Sequence, residues 1–232
     1  MRKTVSSQVE RLTLREKVVA YLHNEIVHHK LKPGEKITEI GLSRQLSISR
    51  TPIREAFYQL EAEGFLVVEP RKGVSVAELN AGDINNYYEI RKVLEGYAAR
   101  CAAPSVSGLE IMQLKRLNRR YLRLVQTGRS SGMGIVRAHN KFHEQIVKLG
   151  KNPRMLEIYT DLGQRCLRFR FMATAIINID YIRRDHDEII AALEKGDGPG
   201  AEEAVRENAD RGLNALLEAL PSHIAKKIGL AA

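Results

Sequence analysis

Apolar residues recur every four positions at Leu14, Val18, Leu22 and Ile26, one stripe of a helix running from about Leu14 to His29. LysProGly at 32–34 ends that helix in a turn. A short helix is predicted from about Glu39 to Gln45, with Ile40 and Leu42 directed inward. The turn LeuSerIleSer at 46–49 leads to a third helix, about Arg50 to Glu63. Ser49 suits its N-cap, Pro52 sits in the first turn where a missing N–H costs little, and Gly64 closes it. Two β-prone runs, 65–69 and 74–77, then flank ProArgLysGly at 70–73 and read as a hairpin. Three helices and a hairpin describe a winged helix-turn-helix.

From Ala81 onward the spacing is helical throughout. Helices are predicted at 83–103, 106–127, 132–149, 153–176, 179–195 and 199–219, broken near Pro104, Gly128, Pro153, Asn178 and the GlyAspGlyProGly at 196–200. On the first of these, Ile84, Tyr88, Val93, Leu94, Tyr97 and Cys101 supply apolar positions. Six helices of this length make an antiparallel bundle. The expected fold is therefore mainly α: a winged helix-turn-helix over 1–77, a short linker at 78–82, an all-α helical bundle over 83–222 and a tail at 223–232.

Charge adds to the picture. Lys and Arg number 37 against 28 Asp and Glu, a net charge of +9, which favours a polyanionic partner. Two cysteines, Cys101 and Cys166, make neither a disulfide framework nor a metal knuckle, and their apolar surroundings suggest buried thiols in a reducing compartment. There is no apolar run of membrane-spanning length and no signal-peptide core near the N-terminus, so no membrane partner and a cytoplasmic location are expected. His23, His28, His29 and His223 read as surface residues.

In a helix-turn-helix the second helix enters the major groove with its N-terminal residues foremost. Here that stretch is SerArgThrProIleArgGluAlaPhe at 49–57. Arg50 and Arg54 share a face, and a guanidinium fork can take guanine O6 and N7 together or grip a phosphate. The Ser49 and Thr51 hydroxyls and the helix N–H groups beside Pro52 suit phosphates. At the hairpin tip, Arg71 and Lys72 precede Gly73, where the backbone can approach DNA closely. Two arginines four apart are by themselves more often a solvated face; the joint pattern of turn, capped helix and basic wing favours DNA.

The segments LeuLysProGlyGluLysIle at 31–37, LeuSerArgGlnLeuSerIleSerArgThrProIleArgGluAla at 42–56, LeuGluAlaGluGlyPhe at 60–65 and ArgLysGlyValSerVal at 71–76 resemble the GntR family of bacterial regulators. The resemblance implies DNA contacts from Ser49, Arg50, Thr51 and Arg54, with Arg44, Arg71 and Gly73 as further candidates. Some relatives carry a basic DNA contact at the position of Ile40, which this chain lacks. The segments at 88–95, 139–146, 150–155 and 186–197 are similar to the FadR-type ligand-sensing domain, FCD.

That second resemblance implies a divalent metal inside the bundle, zinc or nickel, one per chain, at positions held here by His139, His143, His186 and Asn208. Two of the four depart from the usual Asp and His, and Asn208 offers only a neutral carbonyl oxygen, a poor ligand for such ions. His139 and His143 are four apart, so both imidazoles can face one ion, but ordinary cavity-lining histidines would show the same spacing. Arg91 is the candidate partner for an acidic effector, with Arg165, Arg168 and Arg170 behind it. The expectation is a homodimeric repressor on a pseudo-palindromic operator of double-stranded DNA, responding to a small carboxylate. A metal-dependent enzyme using the histidines is the alternative, although no HExxH, nucleophile elbow or phosphate loop appears.

Overall fold

The computed structural model describes residues 12–27, 30–78, 81–128, 132–173 and 179–219. His28, His29, His223 and the 223–232 tail lie outside them. The chain divides into two compact units, Met1–Glu78 and Leu79–Ala232.

The first unit contains helices α1 (Leu14–Val27), α2 (Glu39–Leu46) and α3 (Arg50–Ala62), and strands β1 (Lys36–Ile37), β2 (Leu66–Glu69) and β3 (Gly73–Val76). Val18 and Leu22 of the α1 stripe are buried with Ile53, Ala56, Phe57 and Leu60 of α3, while Leu14 is exposed. Thr38 caps α2, its Oγ1 accepting from Gly41 N at 3.0 Å. Ser47 adopts φ 54 and turns the chain into α3. Ser49 holds the extended N-cap conformation of α3, but its side chain makes no capping bond, which leaves the hydroxyl available. Gly64 follows α3 at φ 77, a left-handed conformation that suits glycine. Beyond the expected hairpin there is a third strand: β1 pairs with β3, Lys36 opposite Ser75 and Ile37 opposite Val74, giving the order β1-β3-β2.

Two expectations fail in this unit. Ile40 points outward, 45% exposed, because Leu42 alone fills the inward side of so short a helix. His23 is buried, its Nε2 2.8 Å from Glu63 Oε2, and its ring lies 4.4 Å from that of Phe65. A histidine with a carboxylate and an aromatic neighbour packs as a core residue.

The second unit contains α4 (Ala81–Ala102), a 3-10 turn (Ala103–Ser105), α5 (Gly108–Thr127), α6 (Gly132–Leu149), α7 (Pro153–Arg165), α8 (Leu167–Ala173), α9 (Ile179–Glu194) and α10 (Gly198–Ala219). Ser107 and Glu110 form a capping box at α5, and Asn152 caps α7 through Met155 N. The main core gathers Leu114, Phe142, Ile146, Ile189, Leu193 and Val205 from α5, α6, α9 and α10. Where α6 meets α4, a Cβ on Gly150 would sit 3.0 Å from Ala98 Cα, so the corner needs glycine.

The helix expected over 153–176 is broken at Cys166. Val93, Tyr97 and Cys101 are exposed: the buried side of α4 is Ile84, Tyr87, Tyr88, Arg91, Glu95, Ala98, Ala99 and Ala102, spaced by threes and fours. Cys166 is half-buried at the helix break, so neither cysteine is a core thiol.

Candidate functional site

Two constellations carry chemistry, one in each unit. In the first, α3 begins in the solvent. Ser49, Arg50, Thr51 and Arg54 are all exposed on the side opposite Ile53, Ala56, Phe57 and Leu60. Pro52 is half-buried in the first turn, and Arg44 is exposed in the last turn of α2. Arg71, Lys72 and Gly73 are exposed at the hairpin tip, Arg71 at φ 66 and Gly73 at φ 97, with Lys72 Nζ 3.1 Å from Glu69 Oε1. One partner was not foreseen in the sequence. Glu39, the first residue of α2, takes Arg54 as a fork: Nε to Oε1 at 2.7 Å and Nη2 to Oε2 at 2.8 Å. Fifteen residues of separation hide this pair from any helical spacing rule.

In the second unit, α6 and α9 bring three imidazoles together. The ligating nitrogens of His139, His143 and His186 all lie within 4.8 Å of one another. His139 Nε2 is 3.1 Å from His143 Nε2. Each outer nitrogen on His143 and His186 has a partner that orients the ring. His143 Nδ1 lies 2.9 Å from Glu95 Oε2, and His186 Nδ1 lies 2.9 Å from Asn118 Oδ1. With protons on those outer nitrogens, the Nε2 lone pairs face inward, and His186 Nε2 has no hydrogen-bond partner. Burial pushes all three imidazoles down, His143 to about 4 against the opposing pull of Glu95, so at neutral pH they are uncharged. Phe142 stacks on His186 at 4.1 Å between centroids, and Tyr121 lies 4.8 Å from His139.

Asn208 is the fourth expected position. It is buried on α10, its amide reaching Asp185 Oδ2 at 3.5 Å, and its Oδ1 has no hydrogen-bond partner. The three imidazoles are thus brought together, and the Asn208 carbonyl oxygen is buried without a hydrogen-bond partner.

Beside the histidines lies a buried charged network. Arg91 Nε donates to Glu95 Oε1 at 2.6 Å, and Tyr159 OH donates to the same oxygen at 2.5 Å. Arg170 donates to the Tyr87 hydroxyl, to Asn140 Oδ1, and to Tyr159 OH at 3.0 Å, with Nη2 3.5 Å from Glu95 Oε1. Arg91 is 2% exposed, Arg170 4% and Glu95 0%. Burial alone would raise the Glu95 carboxyl, but Arg91, His143 and Arg170 outweigh it and hold Glu95 ionised, well below the usual carboxylate range. Two cations thus face one anion, and Arg91 Nη2 has no hydrogen-bond partner.

The break at Cys166 matters here. In one continuous helix Tyr159 and Arg170, eleven residues apart, would be separated by about 16 Å of rise. The turn into α8 lets both reach Glu95. Arg168 lies instead over the Phe169 ring at 4.8 Å, and the Arg165 side chain is outside the described residues. The network residues the sequence reading missed are Glu95, Tyr87, Tyr159, Asn118 and Asn140. One signal was present: Arg91 and Glu95 are a charged pair four apart on the apolar stripe of α4, where solvent cannot account for them.

The profile of the bacterial regulatory proteins of the gntR family matches residues 14–76, and that of the FCD domain matches residues 86–211. The chain is 34% identical over 143 residues to the Nta operon transcriptional regulator of Aminobacter aminovorans, covering 62% of this chain and 66% of that protein. It is 30% identical over 200 residues to the probable D-xylose utilization operon transcriptional repressor of Paenarthrobacter nicotinovorans, covering 86% of this chain and 87% of that one. Among solved structures, E. coli McbR/YncC shares the fold with a TM-score of 0.63 at 22% identity, over 90% of this chain and all of that one (100%).

Proposed function

As a member of the GntR family with a C-terminal FCD domain, the chain is a DNA-binding transcription regulator and not an enzyme, and we propose that it is a repressor whose hold on its operator is set by a small organic acid captured inside the bundle. The observation that carries this reading is the excess of buried positive charge: Arg91 and Arg170 against Glu95 alone, with Arg91 Nη2 unpartnered. A guanidinium without a counter-charge is costly to bury. A ligand carboxylate supplies the missing anion and accepts in a geometry that the planar fork matches.

The three imidazoles fit a divalent late transition metal such as zinc or nickel: neutral nitrogen donors, two held in tautomer by Glu95 and Asn118, and one inward lone pair unclaimed. His139, His143 and His186 would hold one ion per chain, with Asn208 as a weak oxygen donor. The ion would supply a Lewis-acidic anchor for the carboxylate.

At the DNA, Arg50 and Arg54 read base edges; Ser49, Thr51 and the N–H groups beside Pro52 take phosphates. Arg44 and the wing residues Arg71, Lys72 and Gly73 grip the flanking backbone. Two copies act together on a pseudo-palindromic operator. The surface that supports pairing is on α4, where Ile90 (45% exposed), Val93 (55%) and Tyr97 (55%) form an apolar stripe that water would otherwise cover.

The test measures melting temperature and operator affinity against a panel of mono-, di- and hydroxy-carboxylic acids, with an operator recovered by selection from random duplexes. One acid class should raise the melting temperature and weaken operator binding at least tenfold, and Arg91→Met should keep operator binding while losing both responses. A panel that moves neither quantity, or an Arg91→Met protein that responds like the parent, overturns the proposal.

A further inference from the structure

A cleft outside the histidine cluster lies on the surface between α5 and α9. It has a volume of about 520 Å³ and is lined by Lys115, Asn118, Arg119, Arg123, Arg183 and Asp187, among others. We propose that this cleft binds a small phosphorylated molecule, a phosphomonoester or diphosphate carrying at least two negative charges.

The charges are built for an anion. Lys115 is tied to Glu194 at 2.5 Å. Arg119, Arg123 and Arg183 are exposed, and among the described residues none of them is in an ion pair. Arg119 and Arg123 stand four apart on α5, the spacing at which like charges repel on a helix. The basic residues in reach of one carboxylate, Asp187, leave the cleft with a clear positive excess. Some exposed arginines of this unit pair with carboxylates, Arg100 and Arg206 with Glu202 and Arg154 with Glu157, while Arg116, Arg120 and Arg137 are, like those of the cleft, in no ion pair among the described residues. What sets Arg119, Arg123 and Arg183 apart is that they line one volume. Three guanidinium forks around a volume of small-molecule size match the oxygens of a phosphate better than those of a lone carboxylate.

The cleft also has a polar floor. Asn118 is 3% exposed and belongs to both sites. Its Nδ2 donates toward Asp187 Oδ1 at 3.3 Å, while its Oδ1 accepts from the His186 ring at 2.9 Å. A phosphate oxygen in the cleft can take the place of Asp187 as acceptor for that amide. Occupancy of the surface is then felt one residue away, at the imidazole that faces the histidine cluster.

The experiment titrates inorganic pyrophosphate into the full-length chain carrying Arg50→Ala and Arg54→Ala, which removes the reading helix as a competing anion site. Binding is read by calorimetry and by the ring resonances of His186. Pyrophosphate should bind with a submillimolar Kd and shift His186, and adding Arg119→Gln and Arg123→Gln should weaken binding at least tenfold with the melting temperature retained. Citrate, tested alongside, should bind less well than pyrophosphate. Absence of binding, or binding untouched by the two glutamines, overturns the proposal. So does a parent-background Arg119→Gln/Arg123→Gln protein that loses operator affinity while pyrophosphate ignores the cleft, since the arginines then serve DNA. Loss of the organic-acid response in Arg91→Met leaves this site unaffected, so the two readings fail separately.

Discussion

The reading head and the bundle interior both depend on arginine, in opposite surroundings. Arg50 and Arg54 sit in water, where a guanidinium is comfortable and its charge is screened. Arg91 and Arg170 sit where water is excluded, and each must be matched by protein or ligand. The difference separates two kinds of dependence. Removing an exposed arginine should cost recognition and leave stability alone. Disturbing the interior set should alter stability, in a direction fixed by which sign of charge is removed.

The largest effect should therefore come from Glu95. Glu95→Ala strips the single anion from two buried cations and from His143, and should destabilise the bundle by about 3–5 kcal/mol. Arg91→Met removes the surplus cation with a side chain of similar length, and should cost far less or stabilise the ligand-free protein. Chemical denaturation of the two variants checks the pair. Equal losses would mean that the interior charge is balanced by something other than Glu95.

Acid should probe the same interior. With His143 at about 4 when folded and 6.5 as its ordinary value, the unfolded chain binds a proton between those limits that the folded one refuses. Stability is thus full above pH 6.5 and is lost as pH falls toward 4, by about 3 kcal/mol in all for this group. His139 and His186 act in the same direction, and the lowered Glu95 extends the loss below its own ordinary value of 4.5. Denaturation of chelator-treated protein at pH 7.5, 6 and 5 should show this decline. A flat profile would mean that the imidazoles are solvated.

The two regions also differ in how far the sequence announces them. The reading head is local: turn, helix start, charged face and basic hairpin follow one another within about 30 residues, and side-chain period and turn chemistry reveal them directly. What it hid was non-local, the Glu39 fork on Arg54 and the pairing of β1 with β3. The bundle interior is almost wholly non-local. Glu95 meets Tyr159 across 64 residues and Arg170 meets Tyr87 across 83, and the helix break at Cys166 that permits it has no proline to mark it and only Gly163 in the turn before. The FCD resemblance pointed to His139, His143, His186 and Asn208, but only packing shows the contact of the Asn208 amide with Asp185. Surface histidine was the wrong reading for His23 because its partner, Glu63, lies 40 residues on.

At the reading head the effects should be smaller and confined to DNA. Arg50→Ala and Arg54→Ala, taken singly, should each weaken operator binding by about 1–3 kcal/mol, roughly 5- to 150-fold, with the melting temperature unchanged. Glu39→Gln distinguishes two uses of its fork. If Glu39 holds Arg54 in aim, its loss relaxes discrimination at one base pair; if Glu39 competes with DNA for Arg54, affinity rises. Binding measured across single-base operator variants separates them, and a melting temperature lowered by the arginine changes would break the contrast with the interior.

The smallest effect should be a gain. Ile40 is exposed near the start of α2, directly after Glu39, in a place where some family members carry a basic DNA contact. Adjacent helical residues do not face each other, so an arginine there would not be captured by Glu39. Nor does it leave a hole, because Leu42 supplies the buried contact of this helix. Ile40→Arg should therefore fold as the parent does and add about one phosphate neutralisation, steepening the slope of log affinity against log salt by about 0.9. The gain should be visible at low salt and fade toward physiological salt, as expected of an exposed charge. An unchanged slope would show that the N-terminus of α2 stands away from the duplex, and that α3 and the wing alone carry the grip.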